Sequence, residues 1–316
     1  MGVRDGLKKG EPDVPGPDTP RELALVEGPA DRAPSLAPGE PRSRGEVYAE
    51  HRQRADGGWE PRLFEAPRAE LGRFDPERAG LPPMSLDAAA DYMAQHRAAR
   101  PWLAIADTAS PEARRILAAL DASGGHGHIR HEGWVTEEVS MRRAAYREDP
   151  AQLDLGKRSL GIDGLRENDQ PHQCRTTSTR ITNLDAFVTA FARGVEQPKV
   201  REALSMPFDP GDKPTEVTVP IADLLGPDGH RHCTGWKVDP GDGSMKTAQK
   251  NRDAWLAARA AGREPDVPEP QVQPVPTFEG GVIVFLFKRN SADNRYEVAT
   301  MYPRSAQRQN PGDQPN

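Results

Sequence analysis

The stretch GGHGHIRHEGWVTEEVSMRR, Gly124–Arg143, decides how this chain is read. Three histidines, His126, His128 and His131, fall within six residues of it. Gly124-Gly125 ends the preceding helix. Thr136 then stands before Glu137 and Glu138, a side-chain cap followed by an acidic first turn, which predicts a helix to about Glu148. That helix carries Arg142 and Arg143. Outward from the stretch, the chain becomes tail-like toward the N-terminus and folded toward the C-terminus.

Upstream, EPDVPGPDTP (11–20) and GPADRAPSLAPGEPRSRG (28–45) mix proline, glycine and charge. Such segments bury too little apolar surface to offset the entropy of ordering. Residues 1–83 are therefore expected to form a disordered, Pro-rich arm, with a short helix around 43–54. Trp59, Leu63, Phe64 and Phe74 are scattered anchors for docking on a partner or on the body. Order is expected from Ser85, which caps a helix bearing Tyr92, Met93 and His96. A second helix opens at Ser110-Pro111-Glu112, with a cap, a first-position proline and an acid in the first turn. Residues 84–123 form this helical segment.

Downstream, 149–173 is polar and poorly patterned and reads as a loop. Residues 175–182 alternate β-branched side chains and predict a strand. Asn183 caps a helix through Phe187 and Phe191, Pro198 starts another, and 216–221 and 233–238 are strands. Residues 239–275, with a polar helix around Trp255, read as an insertion. Val282–Lys288 and Tyr296–Tyr302 predict a β-hairpin. Strict alternation would place Tyr296, Val298, Thr300 and Tyr302 on one face. Residues 304–316 are a polar tail.

The 316 residues are 35% hydrophobic, with 32 prolines, 29 glycines and a formal charge of −6. About half the chain is able to build a core. No basic excess advertises nucleic-acid binding. Two cysteines, Cys174 and Cys233, make no disulfide framework. No apolar run reaches the ~18 residues of a membrane span. No charged and apolar leader stands at the N-terminus, so the expectation is a chain made in the cytoplasm, with export only by a specialised system.

The histidines admit two chemistries. His126, His128, His131, His172, Cys174, His230, His232 and Cys233 are all zinc-ligand types, but their spacing follows no usual zinc framework. The other chemistry is general acid–base catalysis, for which imidazole suits neutral pH. Cleavage of an RNA phosphodiester needs such a base beside the 2′-hydroxyl. It also needs arginine or hydroxyl donors on the phosphate, where negative charge builds up.

Gly124–Arg143 resembles the opening of the bacterial RNase A-like toxin domain of contact-dependent growth-inhibition proteins. The family begins Gly-Gly-His, then His-x-Gly, then a capped helix with an arginine eleven residues after the second histidine. His131-Glu132-Gly133 and Arg142 fit that order. TTSTRITNLDAFVTAF (Thr176–Phe191) is similar to its Ser/Thr-rich strand and following helix. VIVFLFKR and YEVATMYP are similar to its closing strands, giving Thr300-Met301-Tyr302-Pro303. The likeness covers 124–303. It implies an α+β domain with N-terminal helices packed on a curved antiparallel sheet. It implies a toxin-type endoribonuclease acting without metal or cofactor, leaving a 2′,3′-cyclic phosphate. RNA is the implied substrate, with tRNA as one candidate, and a cognate immunity protein is the implied partner. The implied catalytic set is His131, Arg142, Thr300 and Tyr302. His126, His128, Arg130, Arg143 and Arg180 stand as supporting residues, and Arg147 is expected to add positive charge near the cleft. A non-catalytic interaction module on the same fold, and a zinc protein, are the alternatives.

Overall fold

The computed structural model describes residues 46–65, 74–150, 162–165, 171–173, 175–209, 211, 216–289 and 294–306. The first 45 residues of the expected arm, Cys174 and most of the tail lie outside the described residues.

Four predicted helix starts carry the caps expected of them. The Ser85 hydroxyl accepts from Ala88 N–H at the start of α1 (Leu86–His96), and Ser110 does so from Ala113 N–H before α2 (Pro111–Ala122). A single turn, α3 (Gly127–Arg130), follows the Gly-Gly pair. Thr136 accepts from Val139 N–H before α4 (Glu137–Tyr146). Asn183 accepts from Ala186 N–H before α5 (Leu184–Val195), and α6 (Pro198–Ser205) begins on proline as expected. Each cap satisfies a backbone donor that the first helical turn leaves without a partner.

The arm differs from its expectation. Where a helix was expected around 43–54, β1 (Glu46–Gln53) pairs antiparallel with β2 (Trp59–Glu65). This hairpin is seated on the body. The His51 ring lies edge-on to Trp236, 5.1 Å between centroids, and its Nε2 is 3.3 Å from Glu137. Phe74 also docks, buried against Phe191.

The body combines helices with antiparallel sheet, an α+β arrangement. The polar stretch 149–173 contains a short antiparallel pair, β3 (Ile162–Leu165) with β4 (Pro171–Gln173). One three-stranded sheet has the order β5–β7–β8, from β5 (Thr177–Ile181), β7 (Cys233–Val238) and β8 (Val272–Pro274). The other runs β10–β9–β6, from β6 (Val217–Pro220), β9 (Val282–Arg289) and β10 (Tyr296–Arg304), with a short helix α7 (Ile221–Leu225) after β6. The sheets meet where the Thr179 hydroxyl of β5 donates to the Pro303 carbonyl of β10, 2.7 Å. Phe187, Phe191, Ile116, Leu117, Ile283 and Phe285 share one core between the helices and these strands.

The expected insertion at 239–275 is built into the body. Its helix α8 (Met245–Ala260) sends the buried Arg252 guanidinium to the carbonyls of Ala144 (2.8 Å) and Arg175 (3.0 Å), and β8 completes a sheet. Among the described residues, no helix is long and apolar enough to cross a membrane.

Candidate functional site

The two distant halves singled out in the sequence meet on β10. The C-terminal hairpin forms as expected, but its pairing slips. Val298 faces Phe287 while Thr300 faces Leu286, so Ala299 is an extra residue on β10. Opposed residues share a face, and Phe287 and Leu286 point to opposite faces. The bulge therefore divides the expected single face. Tyr296 and Val298 lie on one side, and Thr300 and Tyr302 on the other.

The Gly-rich stretch docks on this bulge. His126 N–H donates to the Ala299 carbonyl at 2.9 Å. Gly127 lies so close to β10 that a Cβ there would come within 3.0 Å of the Met301 nitrogen and 3.4 Å of the Thr300 hydroxyl. One turn further, the His131 ring sits beside the Tyr302 ring, with centroids 5.1 Å apart and planes 32° apart. Its Nδ1 lies 2.7 Å from the Thr179 carbonyl. A carbonyl only accepts, so Nδ1 carries hydrogen, and in the neutral ring Nε2 is the basic nitrogen. The His131 carbonyl in turn accepts from Ile181 N–H at 2.9 Å, which locks the segment onto β5.

Tyr302 is half-buried. Burial raises its phenol above the ordinary value and the Glu216 carboxylate adds to this, while the charges of Arg304, Arg175 and Arg143 act the other way. Those three guanidinium groups thus lie within electrostatic reach of the phenol. Arg143 comes from the buried face of α4, where Ser140 also packs on β5 with its hydroxyl 3.0 Å from that of Ser178. Arg142 points elsewhere. Both nitrogens of its fork engage the Glu148 carboxylate, Nε at 2.7 Å, and its guanidinium lies 5.6 Å from the Tyr146 ring centre.

The other arginines expected to concentrate charge are also met by carboxylates. Arg130 forms a bidentate pair with buried Asp149, 2.9 Å on both arms. Arg147 binds Asp253. Arg180, fully buried, binds Glu137, which also accepts from the Trp236 indole. The last two pairs tie α4 and its C-terminal end to the sheet and to α8. Because a helix surface places residues 142 and 143 about 100° apart, one faces the sheet and the other the 148–150 corner.

His128 faces away from His131. Its Nε2 meets Asp121 at 2.9 Å. Asp121 also accepts from Tyr92 (2.8 Å), Trp102 (2.8 Å) and Arg100. Burial raises the Asp121 carboxyl, but the His128, Trp102 and Arg100 contacts outweigh it and hold the group well below the usual carboxylate range. Burial and the Asp121 hydrogen bond raise the Tyr92 phenol to about 12. Asp121 escaped the reading of the sequence. A local signal for it exists: an acid in the last turn of α2 opposes the helix dipole and demands a partner. Thr179 and Arg175 had no such signal, because their roles arise from backbone pairing and tertiary proximity.

Among the described residues, the zinc-ligand types do not converge: no group of three or more His, Cys, Asp or Glu side chains is placed to hold a metal ion. His232 is buried beside Asn183 with its pKa lowered by burial to about 4. The Cys233 thiol is buried and pushed up by burial. His172 and Cys174 are not among the described side chains. No protein-family model, curated protein or solved structure matches this chain.

Proposed function

We propose that the protein is an endoribonuclease that cleaves RNA by transphosphorylation, with His131 as general base on the 2′-hydroxyl. One observation carries this reading. The imidazole of His131, oriented through Nδ1 by the Thr179 carbonyl, lies against Tyr302 on a strand some 170 residues away, as in a site assembled for proton transfer. Nε2 takes the proton of the 2′-hydroxyl. The oxygen attacks the adjacent phosphorus, the P–O5′ bond breaks, the 5′-oxygen takes up a proton from solvent and leaves as a 5′-hydroxyl, and a 2′,3′-cyclic phosphate remains. Only RNA offers this internal nucleophile. Arg143 and Arg175, whose charges reach the phenol, neutralise charge on the phosphate as it passes through a five-coordinate state, and Tyr302 donates to a phosphate oxygen or stacks on a base. Arg142, by family likeness the phosphate ligand, would first have to exchange Glu148 for the substrate. Thr300 lines the same face of β10. The likeness to growth-inhibition toxins adds tRNA as a candidate substrate and an immunity protein as partner.

The experiment is incubation of the purified chain with total RNA in EDTA, alongside His131→Ala. The expected result is cyclic-phosphate ends from the wild type and at least a hundredfold loss in the variant. Equal cleavage by the two, or cleavage abolished by EDTA, refutes the mechanism.

A second reading, a non-catalytic interaction module, is favoured by one observation. His131 and Thr300 are only 8% and 5% exposed, and Arg130, Arg142, Arg147 and Arg180 are already matched by carboxylates. It requires that no RNA be cleaved and that expression leave a host cell growing normally.

A further inference from the structure

Between α2, the Gly-rich stretch, α5 and β10 lies a cavity of about 10 Å³. That is about the room one water molecule needs. Most of its wall is apolar, including Leu120, Phe187, Phe191 and Met301. Two of the residues that line it carry polar side chains, and both are more than nine-tenths buried: His128 at 2% exposure and Thr300 at 5%. Among the described residues, neither the Nδ1 of His128 nor the hydroxyl of Thr300 has a hydrogen-bond partner. They are therefore not bonded to one another, although they line the same small space. Buried polar groups nearly always find partners, because leaving one unmade forfeits its hydration without return.

The chemistry of the two atoms is complementary to a molecule that both donates and accepts. His128 Nε2 faces the Asp121 carboxylate at 2.9 Å, so Nε2 carries hydrogen and Nδ1 of the neutral ring presents a lone pair. The Thr300 hydroxyl donates or accepts. Glycine makes the space. A Cβ on Gly127 would stand 3.4 Å from the Thr300 hydroxyl and 3.0 Å from the Met301 nitrogen, and one on Gly125 would fill space up to ordinary contact with the carbonyls of Leu120, Val298 and Ala299 at 3.4–3.6 Å.

We propose that this cavity is a hydration site: one water bridges His128 Nδ1 and Thr300 Oγ1, completing a buried chain Asp121–His128–water–Thr300. The water donates to Nδ1 and bonds the hydroxyl with its remaining capacity. The chain fixes the Thr300 hydroxyl rotamer from a carboxylate on α2. It makes the helical segment 84–123 part of the support of β10.

A high-resolution crystal structure of the full chain tests this directly. An ordered water within hydrogen-bond distance of both atoms is expected. A dry cavity, a direct His128–Thr300 bond, or a water touching only one of them overturns the proposal. Thermal unfolding of two variants and their combination gives an independent test. Thr300→Val removes one end of the bridge at nearly constant volume. His128→Gln keeps an amide toward Asp121 but places no polar atom at Nδ1. Because each abolishes the same water, the double variant is expected to lose no more Tm than the worse single variant, whereas additive losses overturn the bridge. Should a variant fail to fold, the wild-type imidazole 15N shifts decide. Nδ1 is expected as an unprotonated nitrogen accepting a hydrogen bond, and a free Nδ1 lone pair overturns the site. None of these measurements involves RNA, so the hydration site and the ribonuclease proposal fail separately.

Discussion

Replacing Glu132 by glutamine should stabilise the protein at alkaline pH and leave it nearly unchanged in mild acid. The Glu132 side chain is completely buried beside His131. One carboxyl oxygen accepts from Trp134 N–H at 3.2 Å, and the other has no hydrogen-bond partner among the described residues. Burial pushes its pKa from the ordinary 4.5 up to about 8, against the opposing pull of the Trp134 and Gly133 amides and the Arg180 charge. The folded protein therefore keeps a proton that the unfolded chain releases above about 4.5. The neutral acid's contribution is fully present below that pH and is lost as pH rises toward 8. At ~1.4 kcal/mol per pH unit, the interval from 4.5 to about 8 is worth on the order of 5 kcal/mol. Glutamine has the same shape and never ionises. Its amide replaces a carboxyl O–H that also lacks an acceptor, so the two proteins should agree to within ~1 kcal/mol at pH 5. At pH 8.5 the variant should lead by on the order of 3–5 kcal/mol. Urea unfolding of both proteins at the two pH values is the assay, and the difference between them cancels every other titrating group. A difference that does not change with pH, or a variant that falls behind at pH 8.5, would show that an ionised Glu132 is stabilised by its surroundings and refute the reasoning.

Three further outcomes are expected. Asp121→Ala should cost ~3–5 kcal/mol in denaturant unfolding, because it strands buried His128 together with the Trp102 and Tyr92 donors. The depressed Asp121 carboxyl implies stability that is present above about 3.8 and lost as pH falls below it, so the acid-unfolding limb should flatten in this variant. Gly133→Ala should lower stability by ~1–3 kcal/mol or prevent folding, since its Cβ would lie 2.4 Å from the Thr182 carbonyl oxygen; an unchanged Tm would contradict the close packing of the stretch on β5. In RNA cleavage, Arg143→Gln should depress kcat/KM at least tenfold more than Arg142→Gln, because Arg142 is held by Glu148; the reverse order in steady-state kinetics would show that Arg142 leaves Glu148 for the substrate.

Several parts of this architecture are legible without coordinates, and they share a cause. Ser85, Ser110, Thr136 and Asn183 cap helices because each needs only an amide three residues ahead, so the information is local. The strands of the closing hairpin are local in the same sense, through alternation and β-branched content. The pairing of His131 with Tyr302 was reached differently, through likeness of motifs, and its geometry rests on β5 holding the imidazole through a carbonyl that any residue at position 179 would offer. Local pattern misled at residues 43–54, where an apparent helix is a hairpin strand seated on Trp236. There the long-range contact outweighs a weak helical preference.

The type and order of most helices and strands follow from local sequence, as does the concentration of histidines at 126–131. Which way those side chains face is set by the packing of distant elements. The extra residue at Ala299 turns Thr300 and Tyr302 away from Val298, and no alternation rule shows it, because a bulge is a property of two strands in register. Likewise Arg142 and Arg143 are equivalent as letters, and one step around α4 sends the first to Glu148 and the second to the buried side near Tyr302. Charge in a sequence reports what a residue offers, and its neighbours in space decide whether that charge remains available to a substrate.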